Sequence, residues 1–218
     1  MKRVHILVEG QTEETVVREL LAPHLQTLDI FPTPKLCVTG RVKSGTQFKG
    51  GLVSYGKVRN ELRHLLGDSS AVAVTTMLDY YALPTDFPGH GKRPATSCFR
   101  RVEFLEDQFA AEIGHHKFIP FLMLHEFEAL LFAQPHSIAA AFPDQNVGGK
   151  LEAVRSAYVS PEEINERPDS HPSAHIKRLI RGYEKPFHGA LISLEIGLAA
   201  IRQQCSHFDR WLRRLESL

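Results

Sequence analysis

Three short apolar runs in this chain each break off at an acid. Residues 4–8 (VHILV) run into Glu9, residues 70–78 (SAVAVTTML) into Asp79, and residues 117–124 (KFIPFLML) into Glu126 and Glu128. Runs of this length, rich in Val, Ile and small residues, read as β-strands. The second is almost unbroken in small and β-branched residues, as expected of a strand covered on both faces. The intervening segments carry apolar residues at helical spacing: Val16, Val17, Leu20, Leu21 and Leu25, then Val58, Leu62, Leu65 and Leu66, then Val102, Leu105, Phe109 and Ile113. Strand–helix–strand alternation predicts parallel strands joined by right-handed crossovers. Parallel strands bring their C-terminal ends to one edge, where open α/β sheets bind ligands. The terminal acids are therefore expected to converge there.

The remaining chain fits round this frame. Thr12 reads as a helix N-cap with Glu13 and Glu14 in the first turn, and Pro23 as a kink in that helix. "KLCVTG" (35–40) reads as a further strand and "RVKSGTQFKGG" as a polar loop. Residues 80–95 form a long Pro- and Gly-rich loop directly after Asp79. "HEFEALLF" reads as the opening of a helix, which puts His125 and Glu128 on one face. From Pro135 onward strand character fades, and helices are expected at 147–157, 161–166, 172–182 and 187–216. The reading is an α/β core over 1–134 and a helical extension over 135–218, packed on it.

Composition narrows the class. The 218 residues are 43% hydrophobic and 23% charged, which suits a folded globular protein rather than a disordered one. The net charge is +1, so nucleic-acid contact would need a local basic patch or a metal ion rather than a global field. Cys37, Cys98 and Cys205 are scattered and form no CxxC, which argues against a disulfide scaffold or a zinc site and suits a cytoplasmic protein. No stretch approaches a membrane span and the first residues do not form a signal peptide, so no membrane role is expected.

Several carboxylates on one sheet edge repel each other unless a positive charge sits among them. Mg²⁺ (or Mn²⁺) meets that need with carboxylate and water oxygens, and such a site activates water against a phosphodiester. The alternative is a set of separate, solvated strand ends and helix caps.

Certain motifs carry a resemblance. "VEGQTEE", "MLDYYALPTDFPG", "HEFEALLF", "PSAHIKRLI" and "HFDRWLRRL", spread over nearly the whole chain, resemble domain-of-unknown-function family 4276. The Glu–Gly step after the first strand and the aspartate ending a later one look like the TOPRIM fold of topoisomerases, primases and nucleases of the overcoming-lysogenization-defect type. The fold that the resemblance implies is a TOPRIM-like, Rossmann-like, mainly parallel sheet flanked by helices, with a C-terminal helical extension. By position it implies that Glu9 handles a proton and can bind metal, that Glu13 is an accessory acid, and that Asp79 is the first aspartate of an Asp-x-Asp pair. The second place is held by Tyr81, so Asp86, Glu126 or Glu128 would have to complete a metal set. The resemblance also implies an ATPase partner encoded nearby, in a phage-defence gene pair.

Other residues admit two readings. His125 either orients a metal-bound water or phosphate, or simply opens a polar helix end. The pattern is not HExxH, which argues against a zinc protease. Tyr80 and Tyr81 read as packing residues, or as a base-stacking surface. Arg41 and Lys43, with Lys49, and then Lys92 and Arg93, lie on loops suited to phosphate or to plain solvation. Lys177 and Arg178, with Arg181, form a cationic helix face suited to a nucleic-acid backbone. Trp211, Leu212 and Leu215 read as the apolar stripe that docks the last helix. Lys185 carries no assigned role. No Walker A, dinucleotide or serine- or cysteine-nucleophile signature is present. The expected activity is metal-dependent phosphodiester hydrolysis on nucleic acid, a nuclease-like role. The competing reading is a catalytically weak regulatory or binding subunit of an ATPase.

Overall fold

The structure is a computed structural model that describes residues 1–37, 54–81, 83–164 and 169–218. β1 (Lys2–Val8), β2 (Ile30–Leu36), β3 (Ala71–Asp79), β4 (Phe118–Ile119) and β5 (Leu122–Met123) form a wholly parallel sheet in the order β2-β1-β3-β4, with β5 also on β3. The α/β class and parallel sheet are as the alternation of strands and helices requires.

Side-chain alternation on the strands sorts the helices onto two faces. Val4, Ile6 and Val8 of β1 pack with Val17, Leu21 and Leu25, which lie along a helix running from α1 (Gln11–Val16) through a π-type segment (Val17–Leu21) into α2 (Ala22–Gln26). Pro23 lies in the first turn of α2, directly after this widened segment. Leu7 of β1, with Val74 and Leu78 of β3, packs on the opposite face against Val58 and Leu62 of α3 (Tyr55–Leu66) and Leu105 and Phe109 of α4 (Cys98–Ile113). β1 thus sends its chain across one face and β3 across the other. The sheet's switch point falls between the C-terminal ends of these two strands, the place where open α/β sheets form their ligand crevice.

The structure moves one strand and splits another. β2 covers Ile30–Leu36, earlier than the expected 35–40, and includes Pro32 and Pro34. It is an edge strand paired only with β1. Two prolines of the same parity put both missing N–H groups on the side away from β1. The expected strand over 117–124 is interrupted at Pro120 and Phe121. Pro120 has no N–H to offer, and Phe121 turns both its backbone groups to the Thr76 hydroxyl, donating at 3.0 Å and accepting at 2.7 Å. Leu122 N–H then donates to Glu106 at 2.8 Å.

The C-terminal part is helical, in more pieces than expected: α5 (Pro135–Ala140), α6 (Gly148–Ser156), α7 (Pro172–Leu179), α8 (Ala190–Ile196), α9 (Leu198–Gln204) and α10 (Ser206–Glu216). α5 was not foreseen. "HEFEALLF" contributes a 3-10 segment, Phe127–Ala133, rather than an α-helix. A positive φ of 78° at Gly197 divides α8 from α9, a conformation that glycine accepts without a Cβ penalty. The Trp211 stripe docks as its spacing predicts. The indole stacks on Phe121 at 4.3 Å between centroids, and its N–H donates to Thr75 at 2.9 Å. Residues from both sides of position 134 share one apolar cluster. Among the described residues no helix is long and apolar enough to cross a membrane.

Thr76→Val keeps the shape of this buried side chain but orphans the two backbone groups of Phe121. At about 1–3 kcal/mol per buried unsatisfied group, the variant is expected to lose about 2–4 kcal/mol of stability, read as a lower midpoint in urea unfolding. An unchanged midpoint would contradict the role given to the hydroxyl.

Candidate active site

The crevice begins with a carboxylate doing a backbone's work. β1 ends at Val8, and Glu9 Oε2 accepts the Asp79 N–H at 3.1 Å, continuing the β1–β3 ladder one step past the strand's last residue. Gly10, in extended conformation, then starts α1 in place of the expected Thr12 cap, and its carbonyl accepts the Glu14 N–H. A Cβ on Gly10 would lie 3.1 Å from Glu13 Oε2, so the glycine leaves room for the Glu13 carboxylate. Glu13 and Thr12 are buried.

Asp79 is buried at the end of β3. Its Oδ1 accepts the Phe127 N–H at 3.0 Å, which ties the segment after β5 to the strand end. Its Oδ2 faces an ammonium: Lys185 Nζ lies 3.1 Å from Asp79, 3.2 Å from Glu13 and 3.3 Å from Glu128. Lys185 is the first residue of a π-type turn, Lys185–Gly189, that leads into α8. Gly189 in that turn is closely packed. A Cβ there would meet Thr12 Cγ2 at 3.2 Å and the Tyr183 hydroxyl at 3.3 Å. The lysine therefore enters the crevice from the helical extension, 106 residues beyond Asp79 in sequence.

Burial dominates the electrostatics. It raises the Asp79 carboxyl well above the ordinary range; Lys185 opposes the rise, while Glu9, Glu13 and Glu128 add to it. Glu128, wholly buried, is raised for the same first reason and again opposed by Lys185. Glu9 is raised by burial too, offset by Lys185 and by the Asp79 N–H. For Lys185, burial works against the charged form. The attraction of Asp79, Glu128, Glu13 and Glu9 outweighs it, so the ammonium is held charged well above its usual pKa.

Glu126 behaves differently from its neighbours. It is buried beside the crevice, but its Oε2 accepts the Ser173 N–H at 2.9 Å, and His171 Nδ1 lies 3.0 Å from Oε1 and 3.1 Å from Oε2. The Tyr81 ring lies against His171, tilted by 31°, at 4.7 Å between centroids. His125 is buried and has φ of 64°; its ring meets the edge of Tyr80 at 6.1 Å. Burial, then the nearby Arg101, holds the His125 imidazole down at about 4. His125 precedes the 3-10 segment and packs on Tyr80, whereas Glu128 faces Lys185.

The basic candidates scatter. Arg41, Lys43 and Lys49 lie outside the described residues. Arg93 donates to the Tyr80 hydroxyl at 3.2 Å with its guanidinium over the Tyr80 ring; Lys92 is exposed on the same loop. Lys177 and Arg178 are exposed on α7, Arg178 donating to the Asp169 carbonyl at 3.3 Å. Asp86 accepts the Tyr55 N–H at the start of α3 (3.0 and 3.2 Å) and takes no part in the acid cluster. The strand-end acids were legible from sequence, while Lys185, His171 and the separate orientation of Glu126 were not.

The crevice suits a hard cation by its chemistry. Its donors are carboxylate oxygens, among the described residues they outnumber the Lys185 ammonium that pairs with them, and Glu128 Oε1 is buried without a hydrogen bond. Among the described residues no three acids, histidines or cysteines already stand in a metal-holding arrangement. The ammonium holds that central place, and a metal would enter Glu9, Glu13, Asp79 and Glu128 in exchange for it.

Lys185→Met removes the cation and leaves buried like charges, a change that costs about 3–5 kcal/mol in comparable buried pairs. The raised acids bind protons more tightly in the folded state than in the unfolded one. Stability from them is therefore gained as pH falls from neutral toward the ordinary carboxylate range, and lost as it rises. The variant's deficit should accordingly shrink between pH 7.5 and pH 5.5 in urea titrations. An equal deficit at both would show that the charge on Lys185 is not what holds the acids.

Comparison with known proteins returned one relationship. No curated protein and no solved structure matches the chain. The sequence profile of the domain of unknown function DUF4276 matches residues 8–216, which span both Glu9 and Lys185. On that match over nearly its whole length, the chain belongs to the DUF4276 family.

Proposed function

We propose that the protein is a metal-dependent phosphodiester hydrolase acting on nucleic acid, with its reaction centre in the crevice between β1 and β3. The observation that carries this reading is the convergence of Glu13, Asp79 and Glu128 on the Lys185 ammonium, with Glu9 beside them accepting the Asp79 N–H. Glu9, Glu13, Asp79 and Glu128 would hold Mg²⁺ or Mn²⁺, which when bound polarises a phosphoryl oxygen and acidifies a water. Glu9 is partly exposed at the crevice mouth and carries a raised pKa, so it is suited to take the proton from the attacking water. Lys185, freed from the carboxylates, offers its ammonium to the charge that gathers on the phosphoryl oxygens. Arg93 and Lys92, on the loop leaving Asp79, would orient the phosphate backbone. A TOPRIM-like origin of the site, a cytoplasmic location and an ATPase partner in a phage-defence assembly belong to the same proposal.

Two observations favour a second reading. Lys185 already neutralises the centre of the crevice, and Tyr81 stands where a second aspartate is usual in TOPRIM sites. Both suit a catalytically weak subunit that regulates an ATPase.

Incubation with single- and double-stranded DNA and RNA, in Mg²⁺ or Mn²⁺, separates the two. Glu9→Gln and Asp79→Asn are each expected to lower cleavage by about 100-fold or more, since a positioned acid or base contributes roughly 10²–10⁴-fold. An ATPase assembly whose activity is untouched by both substitutions would favour the regulatory reading.

A further inference from the structure

Glu126 sits one residue from Phe127, whose N–H is held by Asp79, yet its carboxylate contacts His171 and Ser173. A carboxylate only accepts hydrogen bonds, so the proton between the two groups belongs on His171 Nδ1. The Ser173 N–H donates to the same carboxylate, the Ser173 hydroxyl oxygen lies 3.1 Å from Nδ1 where it can accept a share of the same proton, and the tilted Tyr81 ring lies against the imidazole with 31° between planes. The mount is firm. Tyr81 N–H donates to the His125 carbonyl at 2.9 Å, and Tyr80 N–H donates to the Met123 carbonyl at 3.0 Å. Residues 79–81 and 123–127 therefore form one rim, and His171 rests on it two residues along from Asp79. Nε2, at the far end of the ring, makes no hydrogen bond among the described residues, and 16% of the side chain is exposed.

We propose that His171 is the proton donor of the crevice, oriented by Glu126 and Tyr81, and that it protonates the leaving oxygen of a phosphodiester. The inference rests on the phosphodiesterase reading above. As water attacks phosphorus, its proton passes to the Glu9 carboxylate. The bond from phosphorus to the leaving oxygen breaks, and that oxygen's electron pair takes the proton from Nε2 of the His171 imidazolium. The products are a phosphomonoester and an alcohol; solvent returns the proton from Glu9 to His171. His125 does not serve this role, because burial keeps it neutral near pH 7. A fixed tautomer, a ring held in place and an open second nitrogen are what proton delivery requires. Simple attachment of the extension to the rim would need only the Nδ1 contact.

The test compares two diesters: an oligonucleotide, whose alkoxide leaves only when protonated, and bis(p-nitrophenyl) phosphate, whose phenolate leaves unaided. His171→Asn and His171→Ala should lower oligonucleotide cleavage by roughly 100-fold, with a loss on the p-nitrophenyl ester smaller by about an order of magnitude or more. Glu9→Gln should lower both. Nitrogen-15 NMR of the imidazole should show the neutral His171 with its proton on Nδ1. Equal losses on the two esters, no loss on either, or a proton on Nε2 overturns the assignment of His171 while the phosphodiesterase reading stands. Wild-type protein that hydrolyses neither ester overturns both.

Discussion

One ammonium among buried carboxylates organises this protein. Lys185 reaches Glu13, Asp79 and Glu128 within 3.3 Å, and these side chains come from a helix, a strand end and a 3-10 segment. Opposite charges about 4 Å apart attract by roughly 4 kcal/mol at the effective dielectric near a protein surface. Taking the same charges out of water costs a comparable amount or more, so a buried ionic cluster is weak evidence for stability. An apolar residue in place of Glu13 or Glu128, whose carboxylates accept no backbone N–H from the strands, would fill the same space without desolvating a charge. On the proposed reading the acids serve chemistry, and the lysine offsets what acids left alone would do to the fold.

The sheet explains why the cluster forms where it does. β1 and β3 are adjacent and parallel, yet their chains leave toward opposite faces. Among the described residues no crossover fills the space between their C-terminal ends. Glu9 completes the ladder there by accepting the Asp79 N–H, and Asp79 in turn holds Phe127. Each strand-end acid therefore has a structural duty on one oxygen and an oxygen left over. Thr76 adds to the same economy from within the strand. By satisfying both backbone groups of Phe121, it lets the outer strand break before it reaches the rim.

What the sequence discloses follows the range of the interaction. The strand-end acids are visible because strand length and apolar runs are local properties, and parallel topology follows from alternation. β2 was displaced because Pro32 and Pro34 disguise an edge strand whose prolines cost no ladder bond. "HEFEALLF" has helical spacing, but Asp79 holds its Phe127 N–H and His125 precedes it with a positive φ, so the segment tightens to 3-10 geometry. Lys185 had no legible role. Nothing in "GYEKPFHG" marks it, and its position depends on a π-type turn packed against Thr12 and Phe127 from distant parts of the chain. Glu126 and Glu128 looked equivalent in sequence. They differ because residue 126 is extended while residue 128 lies within the 3-10 segment, which turns one carboxylate to His171 and the other to Lys185.

Tyr81 shows how the site differs from an Asp-x-Asp arrangement. An aspartate two residues beyond Asp79 would put a second carboxylate on the same strand extension. Here that position lies against an imidazole, and the further acids come instead from the first turns of α1 and of the 3-10 segment. Positive partial charge at a helix start favours an anion within that turn, so Glu13 is held by its own helix as well as by Lys185. The acids round the crevice thus come from several elements, and the extension of β3 carries an aromatic ring. On the proposed reading this divides the labour. Carboxylates from helical first turns and strand ends gather charge at the centre, and the rim at Tyr81, Glu126 and His171 handles a proton beside it.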